Sequence, residues 1–234
     1  MADLGPPHGV DLPAAGSGAI FAAVDWSQGV GPRLAALSLD RKGRLTQQLM
    51  PSAAVRCGVL FDLALAGRLR LVDDGVEIDV EPTAFPAADD LLAAMRDEPE
   101  RTLDSWFAER RFGALQVAES LVQVGSWRRH TPALRRARYE PTDAGRRERD
   151  LLLDVTRTEP GWEAPDAAVA AFGVTANLLG GLRELGLRVS PPVIPPEVLA
   201  AAGQHGWLLR SALEHLTAAR NRYAWSAGAL ETGA

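Results

Sequence analysis

The chain has 234 residues, enough to bury a sizeable core, and its 47% hydrophobic content excludes global disorder. A net charge of −5 gives no overall attraction to nucleic acid or anionic lipid, so any such attraction has to come from a local patch. The single cysteine, Cys57, excludes an intrachain disulfide and a zinc site built on paired cysteines.

Residues 1–18 carry Asp3, Asp11 and several Gly and Pro, with no basic start before an apolar run. They read as a flexible tail, not a signal peptide, ahead of one domain over 19–230. A short apolar piece, Ala19 to Val24, and a Gly/Pro break at Gly29 to Pro32 precede the apolar stretch Leu34 to Leu39 and the turn Asp40-Arg41-Lys42-Gly43. Pro51-Ser52 predicts a helix start with Ser52 as N-cap, and Ala53 to Ala66 is apolar nearly all round, which places that helix in the core. Leu69–Val72 and Val76–Val80 alternate on both sides of Asp73-Asp74-Gly75, the pattern of a β-hairpin. Asp89 to Met95 predicts a short helix, Thr102 caps another containing Trp106 and Phe107, and Gly113 divides that stretch from Leu115 to Val124.

A second hairpin is predicted from Ser126–His130 and Arg135–Tyr139, then a charged helix over Asp143 to Thr156. The uncharged run Ala167 to Leu182 has 16 residues, short of the roughly 20 that a spanning helix needs, and reads as a buried core helix. Four prolines between Ser190 and Pro196 predict an extended connector. The last helix, from Pro196 to Ala229, is expected to break at Gly203 or Gly206. The fold class is therefore mainly α: a single helical-bundle domain with one or two small β-hairpins.

The segment Phe61-Asp-Leu-Ala-Leu-Ala-Gly-Arg-Leu-Arg-Leu71 resembles the helix-to-strand signature of the Golgi phosphoprotein 3 family. Leu37 to Leu45, Glu81-Pro-Thr83 through Leu92, Trp106, and Leu121-Val122 with Gly125 are similar to family elements in the same order. The resemblance runs from about Leu34 to Leu187. It implies a helical fold with an exposed hairpin, no enzymatic activity and no cofactor. Eukaryotic members bind phosphatidylinositol 4-phosphate on Golgi membranes and hold glycosyltransferases there. By spacing, Arg56 and Arg111 fall on two of the three arginines of the family's headgroup site. Gln47 stands where the family has Trp, and Ala114 where it has the third Arg, so headgroup selectivity is expected to be lost. Lys42 is the only lysine, and with the Ala and Gly load this is the composition of a GC-rich, bacterial genome.

Arg56, in the first turns of an apolar helix, is a candidate anion ligand together with Arg111; Arg110 and Arg111 are adjacent and point along different directions of a helix, so one of the two could face the same place as Arg56. The bland alternative is a guanidinium paired or snorkelling out of the core, and a solvated face for the adjacent pair. From Arg128 to Arg149 eight arginines face three carboxylates, flanked by Trp127 and Tyr139. Trp beside Arg suits an interfacial anchor, which makes Trp127, Arg128, Arg129, Arg135, Arg136 and Arg138 a candidate membrane-contact hairpin and a candidate homo-oligomer contact. A helix leading into a basic two-stranded wing also occurs in DNA-binding proteins, but Leu115 to Val124 offers little to read bases, so no nucleic-acid partner is expected. His8, His130, His205 and His215 lack metal-ligand spacing, and no catalytic motif appears. The functional expectation is a non-enzymatic adaptor, cytoplasmic and peripheral on the inner membrane face, with anionic lipid and an unidentified client protein as partners. A diverged small-molecule site or enzyme on the same scaffold is the alternative.

Overall fold

The computed structural model describes residues 25–46, 48–73, 75–131, 136–155, 161–179 and 193–231, with side chains as far as Arg222. The expected tail at 1–18, Gln47 and Arg135 lie outside them. The chain is mainly helical and carries two antiparallel two-stranded hairpins, as its periodicity predicts.

A single turn of 3-10 helix, Trp26–Gln28, leads into α1 (Val30–Leu37), every residue of which is buried. The apolar stretch at Leu34 is thus helical, and it begins inside the Gly/Pro break, because Pro32 in the first turn has no amide hydrogen to lose. Helix α2 (Leu49–Leu65) starts earlier than the expected Ser52 cap for the same reason, with Pro51 in its first turn. The two helices meet backbone to backbone. A Cβ on Gly58 would stand 2.8 Å from Gly31 Cα.

The 61–71 signature reads directly as structure. Asp62 is buried and accepts from Val30 N at 2.7 Å and Gly31 N at 2.8 Å, capping α1 from the neighbouring helix. Leu63 is fully buried. Gly67, at φ 72°, ends α2 while Arg68 N bonds back to Leu63 O at 2.8 Å. Strands β1 (Leu69–Val72) and β2 (Gly75–Ile78) follow, in the register Leu69↔Ile78, and the Arg68 guanidinium ties the hairpin base to Asp79 and Glu81.

Helices α3 (Pro86–Asp97), α4 (Leu103–Phe107) and α5 (Ala114–Gln123) cover one side of α2. Thr102 caps α4 as predicted, accepting from Ser105 N. Strands β3 (Trp127–His130) and β4 (Arg138–Pro141) form the second hairpin, and Tyr139 N donates to Gly43 O in the Asp40 turn at 2.7 Å. Helix α6 (Ala144–Leu151) is shorter than the predicted Asp143 to Thr156, with Asp143 capping it through Arg146 N. Helix α7 (Ala164–Thr175) forms the buried centre. It stops short of Leu182 because Asn177 adopts φ 58° and Leu178 N bonds back to Gly173 O at 2.7 Å. The last stretch breaks at both glycines, into α8 (Pro196–Ala201), a 3-10 turn (Gly203–His205) and the long α9 (Gly206–Glu231).

Charge is buried where α1, α6 and α7 meet. Arg33 donates to Asp150 at 2.6 Å and to Asp166 at 2.7 Å, and both Arg33 and Asp150 are almost fully enclosed. Arg147 caps the other end of α1, donating to Ala36 O at 2.9 Å and Leu39 O at 3.0 Å. No helix of the described residues is long and apolar enough to cross a membrane.

Candidate anion-docking site

Two helical faces of matching spacing oppose each other at the N-terminal end of α2. Leu49, Ala53 and Arg56 repeat at one face of α2, and His215, Ala219 and Arg222 repeat at one face of α9. Alanine at the middle position on each side leaves room between them. Ala108 and Arg110, from the segment after α4, close the space, giving a recess of about 320 Å³. That is the low end of ligand-site volumes, suited to a small group such as a phosphate-bearing headgroup.

The lining holds Arg56, Arg110, Arg222 and His215 and, among the described residues, no carboxylate. Arg56 is 3% exposed and anchors the α4–α5 connection, its Nε donating to Phe107 O at 2.6 Å and Nη1 to Phe112 O at 2.7 Å. Burial pulls its guanidinium below the ordinary value, and nearby Arg110 adds to that. The pairing expected of a buried guanidinium is thus made to backbone carbonyls, through Nε and Nη1. Arg110 and Arg222 are exposed and bond to no group among the described residues.

Arg111 stands elsewhere. It is exposed and pairs with Glu98 at 3.3 Å and Glu109 at 3.2 Å. Glu109 accepts the Arg111 backbone N–H, faces the Arg111 and Arg101 guanidiniums, and is held down to about 2. The structure therefore brings Arg56 together with Arg110, not with Arg111. Residues 108–113 are not helical, so the directions of the two adjacent arginines do not follow from helical spacing. His215 and Arg222 were not singled out for this site by sequence reasoning. Their signal is the i, i+4, i+7 face of α9, which has meaning only once α2 lies opposite.

The second candidate, the β3–β4 hairpin, differs from its expectation. Trp127 is 6% exposed and packs against Tyr139, with ring centroids 6.3 Å apart, so its ring belongs to the core and not to an interface. Alternation explains this: Trp127 shares the inward face of the hairpin with Tyr139, whereas Arg128 points out. Arg129 pairs with Glu119 at 3.0 Å, and the Tyr139 hydroxyl donates to the same carboxylate. Arg138 is half-buried, and Arg128 and Arg136 are exposed. Further along, Arg146 reaches Asp150 at 3.6 Å and Arg149 reaches Asp143 at 3.7 Å, so much of the basic run is already paired.

Burial pushes the Cys57 thiol up to about 12, which keeps it protonated and unreactive. Among the described residues no cluster of His, Cys, Asp or Glu could hold a metal ion. Compared with known families, residues 33–188 match the sequence model described as Golgi phosphoprotein 3 (GPP34), from within α1 to beyond α7, leaving α8 and α9 outside the matched span. No curated protein matches the chain.

Proposed function

The chain belongs to the Golgi phosphoprotein 3 family, and on that footing we propose that it is a non-enzymatic adaptor that docks reversibly on an anionic membrane surface through the recess between α2 and α9. The observation that carries this reading is the convergence of Arg56, Arg110 and Arg222 on one small recess, with no lining carboxylate among the described residues. Guanidiniums gathered in this way cost electrostatic energy in the free protein, and an anion relieves it. Leu49, 39% exposed at the rim, offers an apolar contact beside the charge.

Each basic residue near an anionic bilayer contributes about 1 kcal/mol, so three or four give docking in the millimolar range and not permanent anchoring. Arg128 and Arg136 on the hairpin add attraction at longer range. Phosphatidylinositol 4-phosphate is not favoured over headgroups of equal charge, because Ala114 is 2% exposed at the start of α5 and has no donor to offer.

The test is co-sedimentation with vesicles of phosphatidylglycerol in phosphatidylcholine. Arg110→Ser with Arg222→Ser is expected to reduce binding about tenfold or more, the loss of two such contributions, whereas Arg111→Ser leaves it near wild type. Equal loss in both variants would show that overall charge and not the recess governs docking. Tight duplex-DNA binding with no vesicle binding would favour the wing reading of the hairpin.

A further inference from the structure

The face that α9 presents to the recess carries one imidazole, that of His215. His215 is half-buried, its ring 5.6 Å from that of Phe107, and it lines the recess beside Arg56, Arg110 and Arg222. Resting on the docking reading above, we propose that His215 is a proton-linked ligand of the bound anion, so that docking takes up a proton and tightens as pH falls.

The charged groups around the ring come from every wall. Arg56 faces it from α2, Arg110 from the segment after α4, Arg222 from α9 itself, and Asp104 from α4. Glu109, the other nearby carboxylate, is engaged by Arg101 and Arg111. In the free protein burial comes first, and Arg56 and Arg222 add to it, in pulling the imidazole below its ordinary value; Asp104 pulls the other way. Without an anion the recess therefore disfavours the imidazolium form of His215.

An anion reverses the local balance. It neutralises the guanidiniums that oppose protonation and accepts from the imidazolium a charge-assisted hydrogen bond, stronger than the one a neutral ring donates. The proton comes from solution and is returned on release. Because linkage is reciprocal, an anion that raises the histidine's proton affinity must itself bind more tightly where the proton is available. His215 and Arg222 both lie outside the residues matched to the family, so this response belongs to the part of the site that α9 contributes.

The test uses the full chain in two experiments. In the first, the His215 ring is titrated by NMR with and without sulfate, a probe whose own charge is constant between pH 5.5 and 8. The resonance is assigned by its loss in His215→Gln. Sulfate is expected to raise the midpoint by about one pH unit, the equivalent of a tenfold coupling. In the second, binding to phosphatidylglycerol vesicles is measured across the same range. Wild type is expected to bind about three- to tenfold tighter at pH 5.5 than at 7.5, while His215→Gln shows a flat profile. An unmoved midpoint, or the same pH profile in both proteins, overturns the proposal while leaving docking intact. A moved midpoint with no vesicle binding at any pH upholds His215 as an anion ligand and removes the membrane as its partner.

Discussion

At the level of single side chains, Asp62 sets the strongest constraint. Burial pushes its carboxyl up to about 7, against the pull of the Gly31 and Val30 amides and of Arg33. A carboxyl raised above its ordinary value of 3.8 keeps a proton in the native state that the unfolded chain has released. Stability owed to this group is therefore fullest below about pH 4 and is lost as pH rises through 7. Asp62→Asn removes that slope and leaves one acceptor oxygen for two amides, at a cost of about 1–3 kcal/mol. Denaturant melts of both proteins at pH 4.5 and 7.5 isolate the effect, since other titrating groups cancel in the difference. The gap between them should narrow at the higher pH. An equal gap at both values would mean that Asp62 is ionised throughout.

Between elements, the closest joint is Gly31 against Gly58. Gly58→Ala places a methyl group within 2.8 Å of Gly31 backbone atoms, which neither helix can avoid by a rotamer change. The helices must part, and a cost of about 1–3 kcal/mol is expected in urea unfolding. Unchanged stability would show that the joint is slack. Joints of this kind mark what was legible in the sequence. Helix α2, both hairpins, the Thr102 cap and the break at Gly203 and Gly206 could be read because their signals are local: periodicity, turn residues, a capping hydroxyl. Helix α1 was less visible, because its cap is Asp62 and its counter-ion is Asp150, both supplied from elsewhere in the chain. The recess was half visible. Arg56 could be placed on its helix, but the choice between Arg110 and Arg111 depends on a non-helical segment, and His215 on a helix beyond the family-matched span. Trp127 was assigned to the surface because it sits among arginines, whereas strand alternation turns it inward.

For the molecule as a whole, a net charge of −5 opposes approach to an anionic bilayer, so docking must be oriented. Raising salt from 0.1 to 1 M shortens the screening length from about 10 to 3 Å and should weaken vesicle binding. Replacing Arg128, Arg129 and Arg136 by Ser should retain most binding and change stability by less than about 0.5 kcal/mol, Arg129 being already committed to Glu119. If that variant loses binding as fully as the Arg110 and Arg222 variant does, the hairpin and not the recess is the contact surface. The buried pair of Arg33 and Asp150 carries a different consequence, for the order in which the chain is completed. Helix α1 has eight residues, too few to persist alone, and its guanidinium waits for a carboxylate 117 positions further on. At ribosomal rates of about 5–20 residues per second, that interval is roughly 6 to 23 s. Helix α1, synthesised ahead of the other α-helices described, is thus among the last to be locked, and the nascent protein has to keep Arg33 hydrated until α6 arrives.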